Sequence, residues 1–150
     1  MIGYFNREKE LSVGLTRFGV SMEPGLARSF DRLIKDKGYA NRSEAIRDLV
    51  RDNLVQRQWA AGEGEAVGTV NLVFDHHEGD VTERLNSIEH DNLKLIVSTL
   101  HVHLDRHHCL EVLVLRGSPS DITSVANLLI SARGVKHGKL TVAASGKELG

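Results

Sequence analysis

The chain has 150 residues, 41% of them hydrophobic and 26% charged, and a formal net charge of −1. That balance excludes a disordered or collagen-like chain, and no apolar run approaches the ~20 residues that span a bilayer. One cysteine, Cys109, cannot form an internal disulfide. Met1–Glu10 lacks the apolar stretch of a signal peptide, so a reducing cytoplasm is the expected compartment and no membrane association is expected. The charge is unevenly spread, with net +3 over residues 1–60 and net −4 over residues 61–150. A basic first part suits an anionic partner.

Residues 1–14 are charged and aperiodic and read as a flexible arm. Leu15–Met22 then alternates, with Thr16, Phe18, Val20 and Met22 on one side and Leu15, Arg17, Gly19 and Ser21 on the other, the pattern of a short strand. The next strand-like run lies about fifty residues on. A lone strand leaves its backbone donors and acceptors unpaired, and the same strand of a second chain would satisfy them. Pro24 suits a first helical turn, Leu26, Phe30, Leu33 and Ile34 fall at helical spacing, and Gly38 stops that helix. Asn41-Arg42-Ser43-Glu44 is a capping-box start for a second helix, with Ala45, Ile46, Leu49, Val50 and Leu54 as its apolar stripe. Some forty residues arranged strand–helix–helix cannot bury these faces alone, whereas an intertwined dimer can.

This segment, residues 15–58, resembles the ribbon-helix-helix DNA-binding domains. In that family the paired strands enter the major groove and alternate outward side chains read base edges. By position these are Arg17, Gly19 and Ser21. Arg17 can donate two hydrogen bonds to guanine, whereas Gly19 departs from the polar pattern and reads nothing by itself. Arg42 and Ser43, at the start of the second helix, would hold a phosphate through free backbone N–H groups.

Periodicity is lost and glycine gained around residues 59–66, which read as a linker. Residues 67–145 then follow the order β-α-β-β-α-β. The strands start near Gly68, Leu95, Cys109 and His137, and the helices begin at Asp80 and Ser118. This is the ferredoxin-like split βαβ, as in ACT-type domains, so the expected class is α+β.

The densest chemistry lies in the hairpin of that domain, Leu100-His-Val-His-Leu-Asp-Arg-His-His-Cys109. His101 and His103 are two apart on a strand and so share a face, and Cys109 opens the returning strand. Imidazole and thiolate donors suit nickel, copper or zinc rather than magnesium or calcium. Cys109 could also serve an enzyme as nucleophile, but no third residue stands where it would orient a histidine base, so no enzyme is expected. His76, His77, His107, His108 and His137 read as surface histidines, the alternative being that some form secondary, weaker metal sites or hydrogen-bond to the ligands. Glu111 is a candidate hydrogen-bond acceptor behind the ligands.

A ribbon-helix-helix start joined to a His-x-His-x5-Cys ferredoxin-like domain resembles the nickel-responsive transcriptional regulators, NikR, over about residues 15–144. The most specific stretches are Asn41–Asp48, Thr99–His103, Cys109–Glu111 and Arg133–Gly138. The resemblance implies one square-planar Ni(II) per subunit, held by His101, His103 and Cys109 of one chain and by a histidine of another, which His90 matches. It implies a homotetramer built as a dimer of dimers, a two-fold symmetric duplex-DNA operator, and repression of nickel uptake. It also suggests a cation site between the domains at Glu44 and Asp48. The alternative is a ribbon-helix-helix repressor answering copper, zinc or cobalt, or a small-molecule ligand of an ACT-type domain.

Overall fold

The computed structural model describes residues 14–146 and residue 149. The expected arm thus lies almost wholly outside the described residues. The chain divides into two compact units between Arg42 and Ser43.

In the first unit, residues 14–23 are exposed and form no strand ladder. The expected strand is not formed within one chain. A ladder needs a second strand, and among the described residues this unit has none. Helix α1 spans Pro24–Asp36. Proline in the first turn costs nothing there, because that N–H has no helical acceptor. Gly38 ends the helix in the left-handed region at φ 76°, which only glycine adopts freely. The Tyr39 N–H then reaches back to the Ile34 carbonyl at 2.9 Å. No residue of α1 is buried, although Leu26 and Leu33 belong to its apolar stripe.

Helix α2 spans Arg42–Ala61 and continues through Trp59 and Ala60, into the stretch that reads as linker. Only residues 62–65 separate it from strand β1, Ala66–Asp75. Helix α3 (Val81–Asp91), strands β2 (Ile96–His103) and β3 (His108–Gly117), helix α4 (Pro119–Ile130) and strand β4 (Val135–Ala144) complete the chain. The sheet order is β2-β3-β1-β4 with every pair antiparallel. That is the ferredoxin-like arrangement. The Ser118 hydroxyl caps α4 by accepting from the Asp121 N–H at 3.1 Å, worth about 1 kcal/mol. Asp80 precedes α3 but makes no side-chain cap, because Arg84 holds its carboxylate.

Alternation along the strands decides the core. Val70, Leu72 and Phe74 of β1 and Cys109, Leu113 and Leu115 of β3 face inward, against Val81 and Leu85 of α3 and Ile122, Val125, Ala126 and Leu129 of α4. Burying each large apolar side chain contributes roughly 1.5–3 kcal/mol. Strand β2 lies at the sheet edge. Its apolar Leu100 and Val102 point to the opposite face and remain 58% and 37% exposed.

Candidate metal centre and DNA-facing residues

Register places the donors. His103 stands directly across from Cys109 and His101 across from Glu111, so both histidines lie on the side to which β3 turns Cys109. The hairpin between them is shaped by Asp105. Its Oδ1 accepts the backbone N–H groups of His107 and His108, each at 2.8 Å, and its Oδ2 lies 2.9 Å from His108 Nδ1. Those contacts hold the Asp105 carboxyl far below the usual carboxylate range.

Cys109 Sγ lies 3.3 Å from His103 Nδ1 and 3.3 Å from His76 Nδ1. A thiol has one proton to donate, so the other ring must donate its own N–H to sulfur. Donor atoms of His76, His103 and Cys109 lie within 4.8 Å of one another, the one such group of candidate metal ligands among the described residues. His101 stands beside it, its ring 5.2 Å from that of His103 and edge-on to Phe74 at 5.9 Å. His90 is exposed in the last turn of α3 and is not in the group.

His76 reads as a surface histidine from the sequence, and the structure instead sets it against the thiol. It follows the last residue of β1, and Phe74 of β1 pairs with Cys109. Strand order alone makes that neighbourhood, and no local spacing announces it. The His77 ring lies 4.0 Å from that of His76, tilted by 44°, and meets the His107 ring edge-on at 5.6 Å, and His108 is tied to Asp105. These three stay outside the donor group.

Burial pushes the Cys109 thiol up, helped by the carboxylates of Glu111, Asp75 and Asp105. Glu111, only 6% exposed, is pushed up to about 7, first by burial and then by the facing carboxyl of Glu89. Thr99 Oγ1 donates to Glu89 Oε2 at 3.1 Å, while Glu89 Oε1 is buried without a partner. The nitrogen and sulfur donors fit a borderline-soft divalent ion such as Ni(II). Donor atoms 3.3 Å apart already stand at the spacing that two ligands take around one ion with bonds of roughly 2.0–2.3 Å, so metal entry chiefly requires the loss of the thiol proton.

The DNA-facing candidates have mixed surroundings. Arg17, Gly19 and Ser21 are exposed in the segment before α1, and Ser43 is exposed in the first turn of α2. Arg42 is not simply a free phosphate donor. Its Nε and Nη2 bond both oxygens of Asp31, at 2.7 and 2.8 Å, which lowers the Asp31 pKa and raises that of Arg42. Glu44 and Asp48 sit one turn apart on α2, with Arg51 Nη1 3.5 Å from Asp48. Among the described residues no helix is long and apolar enough to cross a membrane.

Residues 67–143 match the family profile described as the NikR C terminal nickel binding domain, and residues 16–57 match the ribbon-helix-helix protein, copG family. A putative nickel-responsive regulator of Caldanaerobacter subterraneus is 50% identical over 136 residues, 91% of this chain and 88% of that protein. A protein of the same description from Solibacter usitatus is 53% identical over 91% of this chain and 98% of its own length. One from Thermococcus onnurineus is 51% identical over 90% and 98%. Ribbon-helix-helix domains bind DNA, and this is a family of transcriptional regulators rather than enzymes. With its two matched domains in the same order and its thiol–imidazole group in the second, the chain belongs to the nickel-responsive regulator family.

Proposed function

We propose that this nickel-dependent DNA-binding regulator represses nickel-uptake genes in the cytoplasm when nickel is sufficient, and that it does so as a homotetramer on a two-fold symmetric operator. The observation that carries the reading is the convergence of His103 and His76 on the Cys109 thiol, beside His101, in a domain matched to a nickel-binding family. The proposed ligands are His101, His103 and Cys109 of one chain and His90 of another, with one Ni(II) per subunit. The exposed position of His90, away from the donor group of its own chain, is compatible with service to a neighbour. The metal supplies a bond between chains that neither chain makes alone.

Apolar surface supports the assembly. Phe18 is 73% exposed, and Leu49, Val50 and Leu54 line an open apolar groove on α2 with Ile46. A second ribbon-helix-helix would cover such surface. The proposed domain layout is an arm over 1–14, the DNA-binding domain over 15–58, a linker over 59–66 and the metal-binding and assembly domain over 67–145. Arg17 and Ser21 are the proposed base contacts, with Gly19 allowing close backbone approach. Arg42 and Ser43 are the proposed phosphate contacts, and Arg42 reaches a phosphate through the nitrogen that Asp31 leaves unbonded. Glu44 and Asp48 are the proposed cation site, and Glu111 buttresses His101.

The linkage runs both ways. If the nickel-ordered core is the form that places both ribbons on one operator, nickel tightens DNA binding and DNA tightens nickel binding by the same factor. The test is DNA binding by the purified protein with and without stoichiometric nickel, beside Cys109→Ala. Binding that ignores nickel and survives Cys109→Ala intact refutes the reading.

A further inference from the structure

The DNA-binding match ends at residue 57 and the nickel-domain match begins at residue 67, yet the helix that starts the interval does not stop with the first domain. Helix α2 runs unbroken to Ala61. Past the end of the match, Trp59 turns into the second domain. Its indole Nε1 donates to the Ala143 carbonyl of β4 at 3.1 Å, and its ring packs against the hydrophobic core. β4 is an edge strand of the sheet that carries the thiol–imidazole group.

The turn that follows the helix, residues 62–65, has contacts at both of its ends. Gly62 and Gly64 take left-handed φ angles of 68° and 73°, and the Gly62 N–H closes the helix on the Gln58 carbonyl at 3.1 Å. Gln58 Nε2 donates to the Glu65 carbonyl at 3.4 Å, and the Glu65 carboxylate pairs with Arg116 of β3 at 2.8 Å. A turn with this many partners is a joint. A loose tether of four residues would lose the orientation of whatever it carried.

We propose that Trp59 is a positioning residue for the nickel response: it fastens the end of the DNA-binding motif's second helix to β4, so that the state of the metal-binding sheet fixes the direction of α2. The inference rests on the reading that nickel controls DNA binding. An α-helix of this length is a rod of about 30 Å, so a small turn at its anchored end displaces its far end by several ångströms. The metal centre then needs no contact with DNA or with the ribbon to be felt there.

The experiment uses full-length protein, metal-free and nickel-loaded, with a duplex selected from random sequence by the nickel-loaded wild type. It compares wild type, Trp59→Phe, Trp59→Ala and an insertion of two glycines between Gly62 and Glu63. The readout is the ratio of DNA affinities with and without nickel, together with the nickel–thiolate absorption band and protease cleavage within residues 62–65. The expected result is an unchanged absorption band, faster cleavage, and a ratio at least tenfold smaller in Trp59→Ala and in the insertion variant, with Trp59→Phe between. A side chain that only stabilised the fold would lower the melting temperature and leave the ratio alone in folded protein. Should Trp59→Ala fail to fold, Trp59→Phe and the insertion carry the same comparison. A ratio within twofold of wild type in the folded variants, with the band intact, overturns the joint. A wild-type ratio of one overturns both the joint and the functional reading beneath it.

Discussion

Cys109 Sγ and His76 Nδ1 lie 3.3 Å apart, although 33 residues separate them in the chain. Within one chain, sulfur therefore has two imidazole neighbours, His76 and His103. An ion content with two imidazole nitrogens, one thiolate sulfur and a water in tetrahedral array, such as Zn(II) or Co(II), can be held by these three residues alone. His76→Ala, which removes one of these three donors, is expected to weaken Co(II) binding by at least about 10- to 100-fold, the loss that follows even when only a group behind the ligands is removed. The nickel–thiolate band should stay where it is. A shift of that band in His76→Ala would assign the fourth nickel position to His76 in place of His90.

Nickel loading must expel the thiol proton. Because burial and three carboxylates push the Cys109 thiol above its ordinary value, that proton is fully present at neutral pH. Titration in weakly buffered solution at pH 7.5 should release about one proton per nickel, and Cys109→Ala should abolish the release. Apparent affinity should rise with pH across the neutral range. Proton release that persists in Cys109→Ala would place its source elsewhere.

Glu111 makes stability depend on pH in the metal-free protein. Its carboxyl is raised from 4.5 to about 7 in the fold, so the folded chain binds this proton more tightly than the unfolded chain. The contribution is fully present below the unfolded value and is lost as pH rises toward about 7. Denaturant melts of wild type should therefore show this contribution declining from pH 4.5 to pH 7. Glu111→Gln, which keeps the shape and stays neutral, should remove that decline. An identical slope in both proteins would show that Glu111 is charged throughout.

Arg17 and Arg42 should differ in what they lose. Arg17→Ala should cost ~1–3 kcal/mol on a selected duplex and little on random DNA, since a base contact is sequence-dependent. Arg42→Ala should weaken both equally and reduce the salt slope by about one. Equal loss on both duplexes for Arg17→Ala would reduce it to a phosphate contact.

The order of elements in the second domain was legible because each one announces itself locally. Ser118 caps α4, and alternation marks β1 and β3, just as Gly38 stops α1 in the first unit. That His101, His103 and Cys109 share one side of a hairpin was legible, because a strand's period of two and a short turn are enough to bring them near one another. His76 was not, because its place beside Cys109 comes from the pairing of β1 with β3, a contact between distant stretches. Nor was the carboxyl pair of Glu89 and Glu111, which depends on how α3 lies over the sheet. The Arg42–Asp31 pair joins side chains eleven residues apart on two helices, so each reads alone as a solvated charge. The strand at Leu15–Met22 shows the converse. Its alternation is plain in the sequence, but a ladder needs a second strand, and the described residues of this unit supply none.

The thiol of Cys109 has no exposed surface, sealed on the inner side of β3. Oxidants and alkylating reagents in bulk water react with exposed thiolates, and this sulfur is neither exposed nor readily ionised. The same packing that brings imidazoles to the sulfur thus makes it durable. Peroxide and alkylating reagents should therefore modify Cys109 slowly in the folded protein and faster once it unfolds.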